Sequence, residues 1–108
     1  LRQELLAARE RVAIIASGDL SHRLKKGAPA GYSPKGKKFD QKLIEYLSQS
    51  KASEVIKMDH EFIREARECG LKAITILLGI LNPIKCCPQL LSYESPFGVG
   101  YLVMNFKL

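Results

Sequence analysis

Apolar and polar residues change their spacing several times along the chain. Leu1, Leu5, Leu6 and Val12 interleave with Arg2, Gln3, Glu4, Arg9 and Glu10, which predicts the end of an amphipathic helix over residues 1–10. Residues 11–16, Arg-Val-Ala-Ile-Ile-Ala, are a short apolar run stopped by Ser17-Gly18-Asp19 and predict a buried strand. Residues 17–38 then read as a long loop, with three glycines after Gly18 and two prolines. A loop of that length inside a domain is usually functional or disordered.

Helical spacing returns over residues 39–48, where Phe39, Leu43, Ile44 and Leu47 share one face. Ser48 to Lys51 break it. Ser53 is the expected cap of a short helix from Glu54 to Met58. Asp59 is the expected N-cap of another, with Phe62, Ile63 and Ala66 facing inward and Gly70 as its stop. Residues 71–81 fit a buried helix better than a strand, because Ala, Leu and Gly outnumber the β-branched residues, and Asn82-Pro83 ends it. Residues 88–94 predict a strand and Gly98 to Phe106 a second, joined through Ser95-Pro96-Phe97-Gly98 as a hairpin. The order strand, helices, strand, strand argues for an α/β or α+β fold.

Composition narrows this picture. With 108 residues, 46% of them apolar, the chain suffices for one small domain with a core and not for two. Its longest apolar stretch, Ala73 to Leu81, is about half of a membrane span. The chain begins at Leu1, already inside a helical pattern and without a signal peptide, so a piece of a longer protein is expected: a single partial domain over residues 1–108. Of the three cysteines, Cys86 and Cys87 are adjacent and no C-x-x-C pair occurs, which fits reduced thiols in a cytoplasmic protein. The net charge of +6 owes much to Arg23, Lys25, Lys26, Lys35, Lys37 and Lys38. Only Tyr32 and Phe39 are aromatic nearby, which is thin for base stacking, so a solvated loop is expected rather than a nucleic-acid site.

Two segments carry candidate chemistry. In Ser17-Gly18-Asp19-Leu20-Ser21-His22 a predicted strand ends in a polar cluster, the place where α/β sheets gather functional groups. His22 supplies an imidazole that can exchange a proton with a substrate, with Asp19 or Ser21 to orient its ring; the plain alternative is a histidine capping a turn. In the second segment, Leu91 to Tyr101, Glu94 sits among Tyr93, Phe97 and Tyr101. A carboxylate buried there must be paired, protonated or metal-bound; one that reaches solvent need not be. Gly98 and Gly100 imply close backbone approach or a bulge. Two histidines and a carboxylate make the facial triad of non-haem iron oxygenases, and His22, His60 and Glu94 would supply the count. His60, however, lies between Asp59 and Glu61 at a predicted helix start and reads as a surface residue.

These motifs carry a family resemblance. Ser-Gly-Asp-Leu-Ser-His-Arg-Leu at 17–24, Gly-Tyr-Ser-Pro-Lys-Gly at 31–36 and Phe39-Asp40 resemble the C-terminal part of the catalytic subunit of class III extradiol ring-opening dioxygenases. Arg-Glu-Cys-Gly-Leu-Lys at 67–72, Leu78-Gly79 and Ser-Tyr-Glu-Ser-Pro-Phe-Gly-Val-Gly-Tyr at 92–101 continue the pattern, so it runs from Arg11 onward. Within the family the chain looks most like the dioxygenase-like half of bacterial proteins tied to a radical-SAM system with a Memo-like component.

The resemblance implies the C-terminal portion of a mixed-sheet, phosphorylase/hydrolase-like three-layer domain. It makes His22 the acid–base group and Glu94 the carboxylate ligand of Fe(II). Asp19, Ser21 and Tyr93 become substrate-binding residues or supports of that site. It also implies that the two histidine ligands belong to the N-terminal half of the same domain, so half an active site is expected here, inactive alone, in a protein that associates with its other half and forms homo-oligomers. An aromatic diol and O2 are the implied substrates, in aromatic-compound catabolism. The alternative is a non-catalytic Memo-like scaffold of the same fold, and an anion binder using Arg23 to Lys38 is a third reading.

Overall fold

The computed structural model describes residues 1–82 and 84–108. In chain order it has helices α1 (Arg2–Ala7), α2 (Pro34–Ser48), α3 (Ala52–Ile56), α4 (His60–Ala66) and α5 (Leu71–Leu81), then strands β1 (Cys87–Glu94) and β2 (Tyr101–Lys107). The helices therefore precede an antiparallel two-stranded sheet, an α/β arrangement consistent with part of a larger fold.

The core forms where α2 meets the elements around it. Phe39, Leu43 and Leu47 recur every four residues along α2 and are buried with Leu20, Val55, Met58 and Ala66. The Phe39 and Phe62 rings meet edge-on with centroids 6.0 Å apart, which fixes α4 against α2. Each fully buried large side chain here contributes about 1.5–3 kcal/mol. The helix begins five residues before the apolar spacing predicts. Ser33 accepts the Lys35 N–H with its hydroxyl and Pro34 occupies the first turn, so a cap extends the helix over Lys35, Gly36, Lys37 and Lys38, which have no apolar face.

Two helix ends differ from expectation. Asp59 precedes α4 as predicted, but its side chain makes no capping bond, and the helix stops at Arg67, which takes the left-handed conformation (φ 54°). Gly70 is instead the first residue of the next turn, ahead of α5, where the Glu68 carboxylate accepts the Leu71 N–H at 2.7 Å. Similarly, α3 spans Ala52–Ile56 with no side-chain cap from Ser53. Asn82 leaves α5 in an extended conformation, and Pro83, the other half of the expected stop, lies outside the described residues.

The hairpin forms as expected. Tyr93 pairs with Leu102 and Glu94 with Tyr101, with one irregularity between Leu90 and Ser92. Tyr93, Leu102, Met104 and Phe106 turn towards the core, whereas Leu91, Glu94 and Val103 face solvent.

The predicted strand at residues 11–16 does not form. Its residues run without regular structure, and Val12, Ile14 and Ile15 are 50%, 40% and 85% exposed. A strand exists only through its ladder, and among the described residues none lies alongside this run to receive its N–H and C=O groups. Its apolar side chains line an open groove facing Ile74, Leu77, Leu102 and Phe106. The helix expected over residues 1–10 is confined to α1.

Candidate functional site

The loop that follows residue 16 is held from two sides. Leu20 donates its N–H to Gly100 O (2.9 Å), Gly100 returns one to Ser21 O (2.9 Å), and Leu24 donates to Gly98 O (3.0 Å). From the other side, His22 donates to Ala66 O, and Cys69 and Gly70 both donate to Asp19 O. These contacts require glycines. A Cβ on Gly18 would collide with the Gly70 backbone, and one on Gly100 with the Asp40 carboxylate. Gly98 has φ +82° and a Cβ there would reach within 2.5 Å of the Ala28 Cβ. The close approach predicted at Gly98 and Gly100 is therefore present.

Asp40, which sequence reasoning noted only as part of a motif, is the buried hub of this region. It is fully buried. Its Oδ1 accepts the Ser21 N–H at 2.9 Å and its Oδ2 accepts the Tyr93 hydroxyl at 2.5 Å. Burial raises the Asp40 pKa, against the opposing pull of the Tyr93 hydroxyl, the Ser21 N–H and the charge of His22. Burial and the neighbouring carboxylate raise that of Tyr93 as well. The only sequence signal for Asp40 was an acid placed directly beside Phe39 on an apolar helix face.

Of the residues singled out from sequence, Asp19, Ser21 and His22 lie together on this loop. The His22 ring is half-buried, and its Nδ1 is buried without a hydrogen-bond partner among the described residues. Ser21 does not orient that ring. It is buried, donates its hydroxyl to Ala66 O at 2.7 Å and accepts the Arg23 N–H. Asp19 offers a carboxylate oxygen near the ring. Asp19, His22 and Cys69 each present one ligand atom, and these lie within 4.8 Å of one another. Cys69 is the residue sequence reasoning passed over; it lies 50 positions from Asp19 and is brought there by the α4–α5 turn.

Tyr93 and Glu94 lie on opposite faces of β1. Tyr93 points to Asp40, and Glu94 faces solvent opposite Tyr101. Burial therefore does not force Glu94 into a pair: of the two alternatives the sequence left open, the glutamate is the one that reaches solvent, because the outer face of the hairpin is uncovered. Glu94 is not part of the Asp19, His22 and Cys69 group. His60 is exposed at the start of α4, as expected, and is not part of that group either. All three cysteines are free thiols. In the basic stretch, Arg23 is committed to Glu65 at 2.9 Å and Lys25 to Pro96 O at 2.6 Å. Among the described residues no helix is long and apolar enough to cross a membrane.

The model of the family described as the catalytic LigB subunit of aromatic ring-opening dioxygenase matches residues 1–104, and the chain belongs to this family. It is also 44% identical over 98 residues to the Clostridium acetobutylicum protein named CA_C1420. That alignment covers 91% of this chain and 21% of the relative, so the chain spans about a fifth of the length of that protein.

Proposed function

We propose that this chain forms the acid–base and carboxylate side of a non-haem iron extradiol dioxygenase centre, which opens catechol-type rings with O2 when the N-terminal half of the domain is present. The observation that carries the reading is His22. It sits on a loop pinned by main-chain bonds, with a buried Nδ1 that has no hydrogen-bond partner among the described residues. With Nδ1 sunk in the protein, Nε2 is the nitrogen that takes a proton from a catechol hydroxyl and returns one later. Asp19 orients the ring, Ser21 holds the loop to α4, and Tyr93 sets the end of β1 through Asp40.

The residues present fit one ligand of an iron site and not the whole of it. A facial triad needs two imidazoles and a carboxylate. Glu94 offers a carboxylate on an exposed strand end, while His60 lies apart on α4. Glu94 would hold Fe(II) together with two histidines from the preceding half of the domain. A bound Fe(II) would polarise the catechol and bring O2 beside it. The three-layer sheet, the association with the N-terminal half, homo-oligomerisation, a cytoplasmic setting and the Memo-like affiliation all belong to this proposal. A non-catalytic scaffold of the same fold is the second reading, favoured by the solvent-facing position of Glu94 apart from the His22 group.

The test uses the full-length protein with Fe(II), O2 and a panel of catechols. Ring opening that disappears in His22→Gln with iron retained, and iron loss in Glu94→Ala, support the enzyme. No ring cleavage and no retained iron would support the scaffold.

A further inference from the structure

We propose that Asp19, His22 and Cys69 together form a metal site for a thiophilic divalent cation of the zinc type, and that its occupancy withdraws His22 from proton transfer. The binding stands on the geometry alone; the withdrawal rests on the function proposed above.

Three kinds of donor converge here from separate parts of the chain: a carboxylate, an imidazole and a thiol, with ligand atoms within 4.8 Å of one another. Zinc binds these donors at about 2.0–2.3 Å, so its ligands stand closer to one another than that limit and small side-chain rotations suffice to close the set. Three protein ligands leave a fourth position open for water.

The two segments are already fixed. Cys69 and Gly70 donate to Asp19 O at 3.1 and 2.8 Å, and His22 donates to Ala66 O at 3.3 Å. Gly18 crosses Gly70 so closely that a Cβ on Gly18 has no room and one on Gly70 would press on Asp19 O and the Gly18 backbone. Binding therefore costs little main-chain entropy. The sulfur is also in place, since the Asp19 N–H donates to Cys69 Sγ at 3.2 Å. Cys69 is exposed, so a cation has a route in. On the imidazole, the buried Nδ1 has no hydrogen-bond partner among the described residues, and a cation bound there leaves the ring's one proton on Nε2, which then cannot take another from a substrate. A thiolate and an imidazole select zinc or cobalt over magnesium or calcium.

The experiment titrates metal-free full-length protein with Co2+ alone. The expected result is a thiolate-to-cobalt charge-transfer band that is lost in Cys69→Ser, weakened about tenfold or more in affinity in His22→Gln, and unchanged in Glu94→Ala. Absence of the band, or its survival in Cys69→Ser, overturns the site. A second arm adds Zn2+ to the iron-loaded enzyme. Ring opening should slow in the wild type and resist zinc in Cys69→Ser; equal sensitivity overturns the withdrawal of His22. If no ring opening occurs at all while the cobalt band behaves as expected, the function proposed above falls with the withdrawal, and the metal site stands.

Discussion

The Tyr93 hydroxyl donates to Asp40 Oδ2 across 53 positions of sequence, and the same carboxylate receives the Ser21 N–H through its other oxygen. Ser21 immediately precedes His22, and Tyr93 immediately precedes Glu94. One buried acid on α2 thus ties the segment carrying the proposed proton carrier to the strand carrying the proposed metal ligand. Neither residue needs to touch a substrate for its loss to disturb the site.

This relationship has a measurable stability. Asp40→Ala leaves the Ser21 N–H and the Tyr93 hydroxyl without an acceptor, and each unanswered buried group costs about 1–3 kcal/mol. A total loss of about 2–5 kcal/mol is expected from urea unfolding of the full-length protein, against about 1–2 kcal/mol for Tyr93→Phe. The double variant should lose less than the sum, since the Tyr93 bond can be removed only once. Strict additivity would show that the Asp40–Tyr93 bond contributes nothing.

The raised Asp40 pKa gives the pH dependence a definite sign. The folded state holds the Asp40 proton more tightly than the unfolded chain, whose aspartate titrates near the ordinary value of 3.8. Its contribution to stability is therefore fully present below 3.8 and declines as pH rises through the higher folded-state value. The unfolding midpoint of the wild type, compared with that of Asp40→Asn across this acid range, should show a decline with rising pH that the variant lacks. A difference that grows in the opposite direction would show that hydrogen bonding to the carboxylate outweighs burial.

The crossing of Gly18 and Gly70 predicts a local effect. Gly18→Ala places a methyl group against the Gly70 backbone, where no flexible side chain can yield. A destabilisation of about 1–3 kcal/mol is expected, as for other overpacked sites. Because the same crossing sets Cys69 beside Asp19, the Cys69 thiol should also react faster with an alkylating reagent. Unchanged thiol reactivity alongside a lower Tm would mean that the strain relaxes elsewhere.

Elements with their own periodicity were legible in the sequence. The apolar stripe of Phe39, Leu43 and Leu47 gave α2, the inward set of Phe62, Ile63 and Ala66 gave α4, and the paired runs either side of Pro96 gave the hairpin. What failed depends on partners that periodicity does not contain. Residues 11–16 have the composition of a strand and no neighbouring strand among the described residues. Gly70 suits either a helix end or the tight crossing with Gly18, and only the packed chain decides. The beginning of α2 was readable after all, from Ser33-Pro34, but its first turn lacks the apolar face on which the reading relied. In the candidate site, loop position exposed Asp19 and His22, whereas Asp40 and Cys69 acquire their significance only through contacts made across 19 to 53 positions of sequence.

Glu94 and Asp40 are both carboxylates near the hairpin, yet opposite outcomes are expected from neutralising them. Glu94 faces solvent at the end of β1, and among the described residues its carboxylate makes no ion pair or hydrogen bond. Glu94→Gln should therefore change folding stability by no more than about 0.5 kcal/mol, as at other exposed positions. An amide is a far weaker metal ligand than a carboxylate, so iron retained by the full-length protein after desalting should fall by at least tenfold. Asp40→Asn should show the reverse, a lower unfolding midpoint with iron content preserved in the protein that remains folded. Iron content by elemental analysis and unfolding by circular dichroism, measured on the same preparations, separate the two roles. Undiminished iron in Glu94→Gln would remove Glu94 from the metal centre, whatever the fate of His22.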